Sequence, residues 1–143
     1  MDIEELKEKL YKYEDIRLKI ISYEISIKNI YDKIEAKLLK NNLLGKEKEI
    51  RKIGILGGEI YFYFVTRTSA WYLSNYYEKK DLILFKPIAM EVFLYLKIFK
   101  EYQKAMEEFE KLRKDLSKDI YIPSFSAKTS SFWCIKSDSS LLK

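Results

Sequence analysis

The sequence predicts an all-α fold: a bundle of three long antiparallel helices with coiled-coil-like heptad seams, followed by a C-terminal arm rich in serine and aromatic residues. Three observations predict it. Apolar residues recur at alternating three- and four-residue steps in both the first and last thirds of the chain. Only 4 Gly and 2 Pro interrupt 143 residues, and Lys, Glu, Leu and Ile are abundant, a usage that favours long helices over turn-rich sheets. From residue 119 onward charge thins and serine becomes dense. These changes place a bundle domain at 1–118 and an arm at 119–143.

The first helix carries the clearest signal. Ile3, Leu6, Leu10, Tyr13, Ile16, Ile20, Tyr23, Ile27, Ile30, Ile34 and Leu38 form one seam. Two successive three-residue steps at Leu10–Tyr13–Ile16 make a stammer, which overwinds a helix pair locally. The helix is expected to stop at Asn41-Asn42-Leu43-Leu44-Gly45, with Gly45 in the left-handed C′ position. A helix of about 40 residues is roughly 60 Å long, and a seam of that length needs a partner. Ile88, Val92, Tyr95, Phe99, Tyr102, Met106, Phe109, Leu112 and Leu116 supply one, opened by Pro87 where a missing N–H costs nothing.

The middle, Lys46–Lys80, is harder to assign. Glu59-Ile60-Tyr61-Phe62-Tyr63-Phe64-Val65 is aromatic and β-branched enough for a strand. Its apolar run is continuous rather than alternating, and both neighbours are helical. The expectation is therefore a central helix buried nearly all round.

The arm interrupts its serines with Tyr121, Phe125, Phe132 and Trp133. Aromatics in a polar extended segment serve as docking residues, so these four are the candidate interaction residues. No charge-free apolar window is long enough to span a membrane: Glu59, Arg67, Lys86, Glu91 and Lys97 fall inside the most apolar stretches. With an acidic opening instead of a leader-like one, the expected location is the cytoplasm, or a virion if the source is viral. The 23 Lys against 4 Arg, with 4 Asn and 1 Gln, match the amide-poor, lysine-rich usage of hyperthermophiles.

Chemistry is constrained by what is missing. There is no His, which removes His-ligated metals and His-dependent acid–base catalysis. Cys134 is the only cysteine and lies in an apolar setting that disfavours the thiolate. Gly54-Ile55-Leu56-Gly57-Gly58 lacks the Lys-Ser/Thr of a phosphate loop. Catalytic, cofactor and metal sites are accordingly not expected. Glu59, Arg67 and Glu91, charged within apolar stretches, are the candidate buried ion pair.

Net charge +5 raises a nucleic-acid alternative centred on Lys46, Lys48, Arg51 and Lys52. Glu47 and Glu49 stand among them, whereas a phosphate-binding stripe normally excludes carboxylates. Tyr61, Phe62, Tyr63, Phe64, Trp71, Tyr72, Tyr76 and Tyr77 can stack bases, yet such a set serves packing more readily. The function expected is a non-enzymatic protein-interaction or assembly protein, self-associating or host-binding, of the kind viruses and mobile elements encode. A helical nucleic-acid-binding or coating protein is the alternative.

Overall fold

In the computed structural model, residues 2–76, 85–122, 134–137 and 139 are described. Among these residues two long helices are present, α1 (Ile3–Lys40) and α2 (Ala89–Leu116), the latter entered through a 3₁₀ turn at Lys86–Ile88 that holds Pro87. Between them lies a three-stranded antiparallel sheet of β1 (Ile50–Leu56), β2 (Glu59–Phe64) and β3 (Trp71–Tyr72), in the order β1-β2-β3. A second, two-stranded sheet joins β4 (Ile120–Tyr121) to β5 (Cys134–Ile135). The protein is therefore neither an all-α three-helix bundle nor a coiled coil. Among the described residues, no helix is long and apolar enough to cross a membrane.

The correction comes from one turn. Leu56 pairs with Glu59 across Gly57-Gly58, and both glycines have positive φ, 59° and 81°. A two-residue hairpin loop of this hand follows the natural twist of paired strands and needs residues that tolerate positive φ. The expected central helix is thus a hairpin. Its apolar run is continuous because both strand faces are aromatic: Ile60 and Phe62 are buried, while Tyr61 and Tyr63 take the other face. Tyrosine tolerates a half-wet position, so the two-residue alternation is hidden.

Helix boundaries follow local chemistry. The Asp2 carboxylate accepts the Glu5 N–H at 2.8 Å, an N-cap, and Glu4 and Glu5 sit favourably in the first turn. At the other end Asn42, not Gly45, takes the left-handed position (φ 60°). Leu43 N–H then reaches the Leu38 carbonyl at 2.9 Å and Asn42 N–H that of Leu39 at 3.1 Å, a Schellman closure. The seams also shift slightly. Ile3 is exposed, and on α2 it is Ala105 that is buried where Met106 was expected.

The chain forms two compact units. In the first, residues 1–23 with 102–143, α1 and α2 run antiparallel: Tyr13 stacks on Phe109 with ring centroids 4.9 Å apart, and Lys9 pairs with Asp115. Ile120 and Ile122 are buried here. The Asp119 carboxylate accepts the buried Ser139 hydroxyl at 2.6 Å, and the Asp119 carbonyl accepts Lys136 N–H at 2.8 Å.

In the second unit, residues 24–101, Ile27, Ile34 and Leu38 of α1 share burial with Ile53, Ile60 and Phe62 of the sheet and with Ile88, Val92 and Tyr95. Trp71, Phe62 and Phe85 form an aromatic cluster, with Trp71 stacked on Phe85 at 5.6 Å. Because β3 pairs only with Tyr61 and Phe62, β2 outruns it towards the hairpin turn. The fully buried Tyr95 hydroxyl takes over there, accepting Ile60 N–H and donating to the Gly58 carbonyl, both at 3.0 Å. A side chain of α2 stands in for the next rung of the ladder.

Candidate functional site

In the 24–101 unit, α2 carries apolar residues outside its buried stripe. Ile88, Val92, Tyr95 and Phe99 face the core, whereas Met90, Phe93 and Leu94 are 78%, 53% and 49% exposed. Spacings of three and four residues set Met90, Phe93, Leu94 and Lys97 on one side of the helix. With Ile30 and Lys33 of α1 and with Glu91, they line a groove of about 350 Å³. That volume lies at the lower end of the range for ligand pockets. The groove has an apolar floor and lysines at its rim.

Glu91 anchors this wall. It is buried, pairs through one carboxylate oxygen with Lys37, and leaves the other oxygen buried without a hydrogen-bond partner. This ion pair links α2 to α1 within the unit. The other members of the expected ion-pair group lie elsewhere. Glu59 accepts the Ser74 hydroxyl at 3.2 Å, and the exposed Arg67 lies over the Phe64 ring at 5.7 Å. Among the described residues Glu59, Arg67 and Glu91 do not pair with one another.

The outward face of the sheet gathers another set. Tyr61 lies over Gly54, where an added Cβ would clash with its hydroxyl and ring. Tyr63 and Tyr72 meet Tyr61 edge-on at 5.7 and 6.1 Å. Lys52 stands across from Tyr63. Lys46, Arg51 and Lys52 are exposed and Lys48 half-buried, but Glu47 and Glu49 are exposed among them. The aromatics on the opposite face, Phe62, Phe64 and Trp71, pack against Phe85. Tyr77 lies outside the described residues.

Of the candidate arm residues, Tyr121 is exposed on β4, its backbone paired with Cys134. Phe125, Phe132 and Trp133 lie outside the described residues. Among those described, no three His, Cys, Asp or Glu side chains cluster as metal ligands would.

The chain matches no family model, no curated protein and no solved structure. Geometry alone therefore carries the functional reading. Sequence reasoning passed over the groove because it followed the regular seam and stopped there. Met90, Phe93 and Leu94 are apolar residues lying between seam positions of a helix whose core stripe is already complete, and that surplus was the available signal.

Proposed function

We propose that the chain is a non-enzymatic interaction protein that seats an amphipathic, acidic-flanked helix of a partner protein in the α1–α2 groove of its 24–101 unit. The observation that carries this reading is the run of exposed Met90, Phe93 and Leu94 over a groove rimmed by Lys33 and Lys97. Large exposed apolar side chains grouped inside a polar rim mark interaction sites. Methionine adapts its shape to different partner side chains. A helix laid in such a groove presents apolar anchors three or four residues apart, and the two rim lysines favour carboxylates beside those anchors. The nucleic-acid alternative has less support, since Glu47 and Glu49 stand exposed among its four cations.

The test is a titration with two designed amphipathic helical peptides that share apolar anchors and differ in having Glu or Lys flanks. Backbone amide NMR shifts of the full chain are the readout. The acidic peptide is expected to move Met90, Phe93, Leu94, Lys33 and Lys97, and to bind at least about tenfold more tightly than the basic one, a difference of about 1.4 kcal/mol. Met90→Asp or Leu94→Asp, both at exposed positions, should abolish those shifts while leaving the circular dichroism unchanged. Absence of perturbation in the groove at millimolar peptide would overturn the reading.

A further inference from the structure

The 1–23 portion of α1 has a second apolar face that its own core does not use. Leu6, Tyr13, Ile16 and Ile20 are buried, whereas Ile3, Tyr11 and Leu18 are 67%, 64% and 55% exposed. Leu10 is half-buried beside them. At 3.6 residues per turn, Ile3, Lys7, Leu10, Tyr11, Glu14 and Leu18 fall within an arc of about 100°. Ile3, Leu6, Lys7, Leu10, Tyr11 and Glu14 line a surface depression of about 410 Å³. The face is therefore a continuous strip with one cation and one anion set into apolar surface.

The order of residues along the strip is its most informative property. From Ile3 to Leu18 it reads apolar, Lys7, apolar, apolar, Glu14, apolar, symmetric about the peptide bond between Leu10 and Tyr11, and the half-buried Ile21 continues the same arc beyond that stretch. We infer that this strip docks against the same strip of a second copy, antiparallel, in a twofold homodimer. A twofold interface must be self-complementary, each residue's partner being returned by the symmetry. Here antiparallel pairing about the Leu10–Tyr11 centre sets Ile3 opposite the second copy's Leu18 and Leu10 opposite its Tyr11. Lys7 then faces the second copy's Glu14, and Glu14 its Lys7.

The monomer already prepares both charges. Lys7 Nζ lies 6.0 Å from the Tyr11 ring centroid, holding the ammonium over the strip. The Glu14 carboxylate is held by Arg17 at 2.6 and 3.1 Å, and a carboxylate has lone pairs left for a third donor. A foreign helix could cover the apolar part of this face, but nothing would require it to mirror the charge order. Ile3 to Leu18 spans about 22 Å of helix, so the contact belongs to the small class below about 1,200 Å² and makes a weak, concentration-dependent dimer.

Sedimentation equilibrium of the full chain from about 10 µM to 1 mM, the weak range of dissociation constants, reads the proposal through a charge swap. The unmodified protein should dimerise within that range. Lys7→Glu or Glu14→Lys alone places like charges opposite one another and should weaken association at least about tenfold. The double variant Lys7→Glu with Glu14→Lys restores opposite pairs and should return the dimer to within about threefold of the original. Arg17 loses its carboxylate equally in Glu14→Lys and in the double variant, so that loss cancels between them, and the Lys7→Glu single variant, which loses the Lys7–Tyr11 contact as the double variant does, controls for that contact. A monomer at 1 mM overturns the proposal, and so does a dimer indifferent to all three variants. Because Met90→Asp leaves this strip untouched, failure of the groove reading and failure of the dimer are separately visible.

Discussion

Tyr13 places a phenol at the centre of the first unit, 1% exposed and stacked on Phe109. Burial, and then the neighbouring Glu14 carboxylate, push its ionisation above the ordinary tyrosine value of 10.0. The sign of the linkage follows: a group whose folded pKa is raised holds its proton more tightly when folded. Its contribution is complete below pH 10 and drains away as the pH climbs through 10 towards the raised value. Chemical unfolding midpoints measured at pH 8, 10 and 11 should therefore fall mainly between pH 10 and 11 for the natural protein. Tyr13→Phe keeps the ring stack and removes the titrating group, so its decline over the same range should be shallower. Equal slopes would mean that Tyr13 is as accessible to ionisation folded as unfolded. Tyr95, equally buried, uses its hydroxyl differently, as the acceptor and donor that complete the β2 ladder.

Among the elements, the β1–β2 hairpin shows how a strand accommodates a residue with no side chain. Gly54 lies opposite Tyr61, whose ring folds over it, and a strand glycine commonly marks such a close approach. Gly54→Val must push the Tyr61 ring away from Tyr63 and Tyr72, at a cost of about 1–2 kcal/mol. In a Tyr61→Thr background the same change should be neutral or stabilising, because valine suits a strand better than glycine does. A double-mutant cycle of unfolding free energies measures this, and additive effects would show that the ring does not depend on the glycine.

The same hairpin sets the limit of what the sequence conveys. The buried stripe of α1 from Leu6 to Leu38 and that of α2 from Ile88 to Leu116 were legible, because a 3.6-residue period survives any neighbour. The hairpin was hidden, although Gly57-Gly58 between two apolar runs is a turn signal, because outward Tyr61 and Tyr63 count as apolar in any pattern search. Likewise Asn42 closes α1 in place of Gly45, since asparagine also tolerates positive φ. The groove was legible only as a surplus, in Met90, Phe93 and Leu94, and Lys33 joins it from α1 through tertiary packing that no local pattern announces.

On the scale of the whole molecule, each unit has its own core and its own vulnerable position. Ile20 is fully buried in the first unit, and Phe99 lies buried in the second, stacked on Tyr95 at 5.4 Å. Replacing either by Asp buries a carboxylate without a partner, which costs several kcal/mol, a large share of the 5–15 kcal/mol that holds an ordinary domain together. Ile20→Asp and Phe99→Asp should each abolish near-ultraviolet circular dichroism at 25 °C, and a native-like spectrum in either would mean that its seam is misplaced. The pairing of Tyr13 with Phe109 also bears on how the protein is made. A ribosome adding about 5–20 residues per second exposes Tyr13 roughly five to twenty seconds before Phe109 exists. The two-residue hairpin can close in microseconds during that interval, but the start of α1 cannot bury Leu6, Tyr13, Ile16 and Ile20 until α2 arrives. Nascent chains of this protein therefore pass through a long interval with a greasy helix waiting for its partner, and that interval is when a chaperone would have most to do.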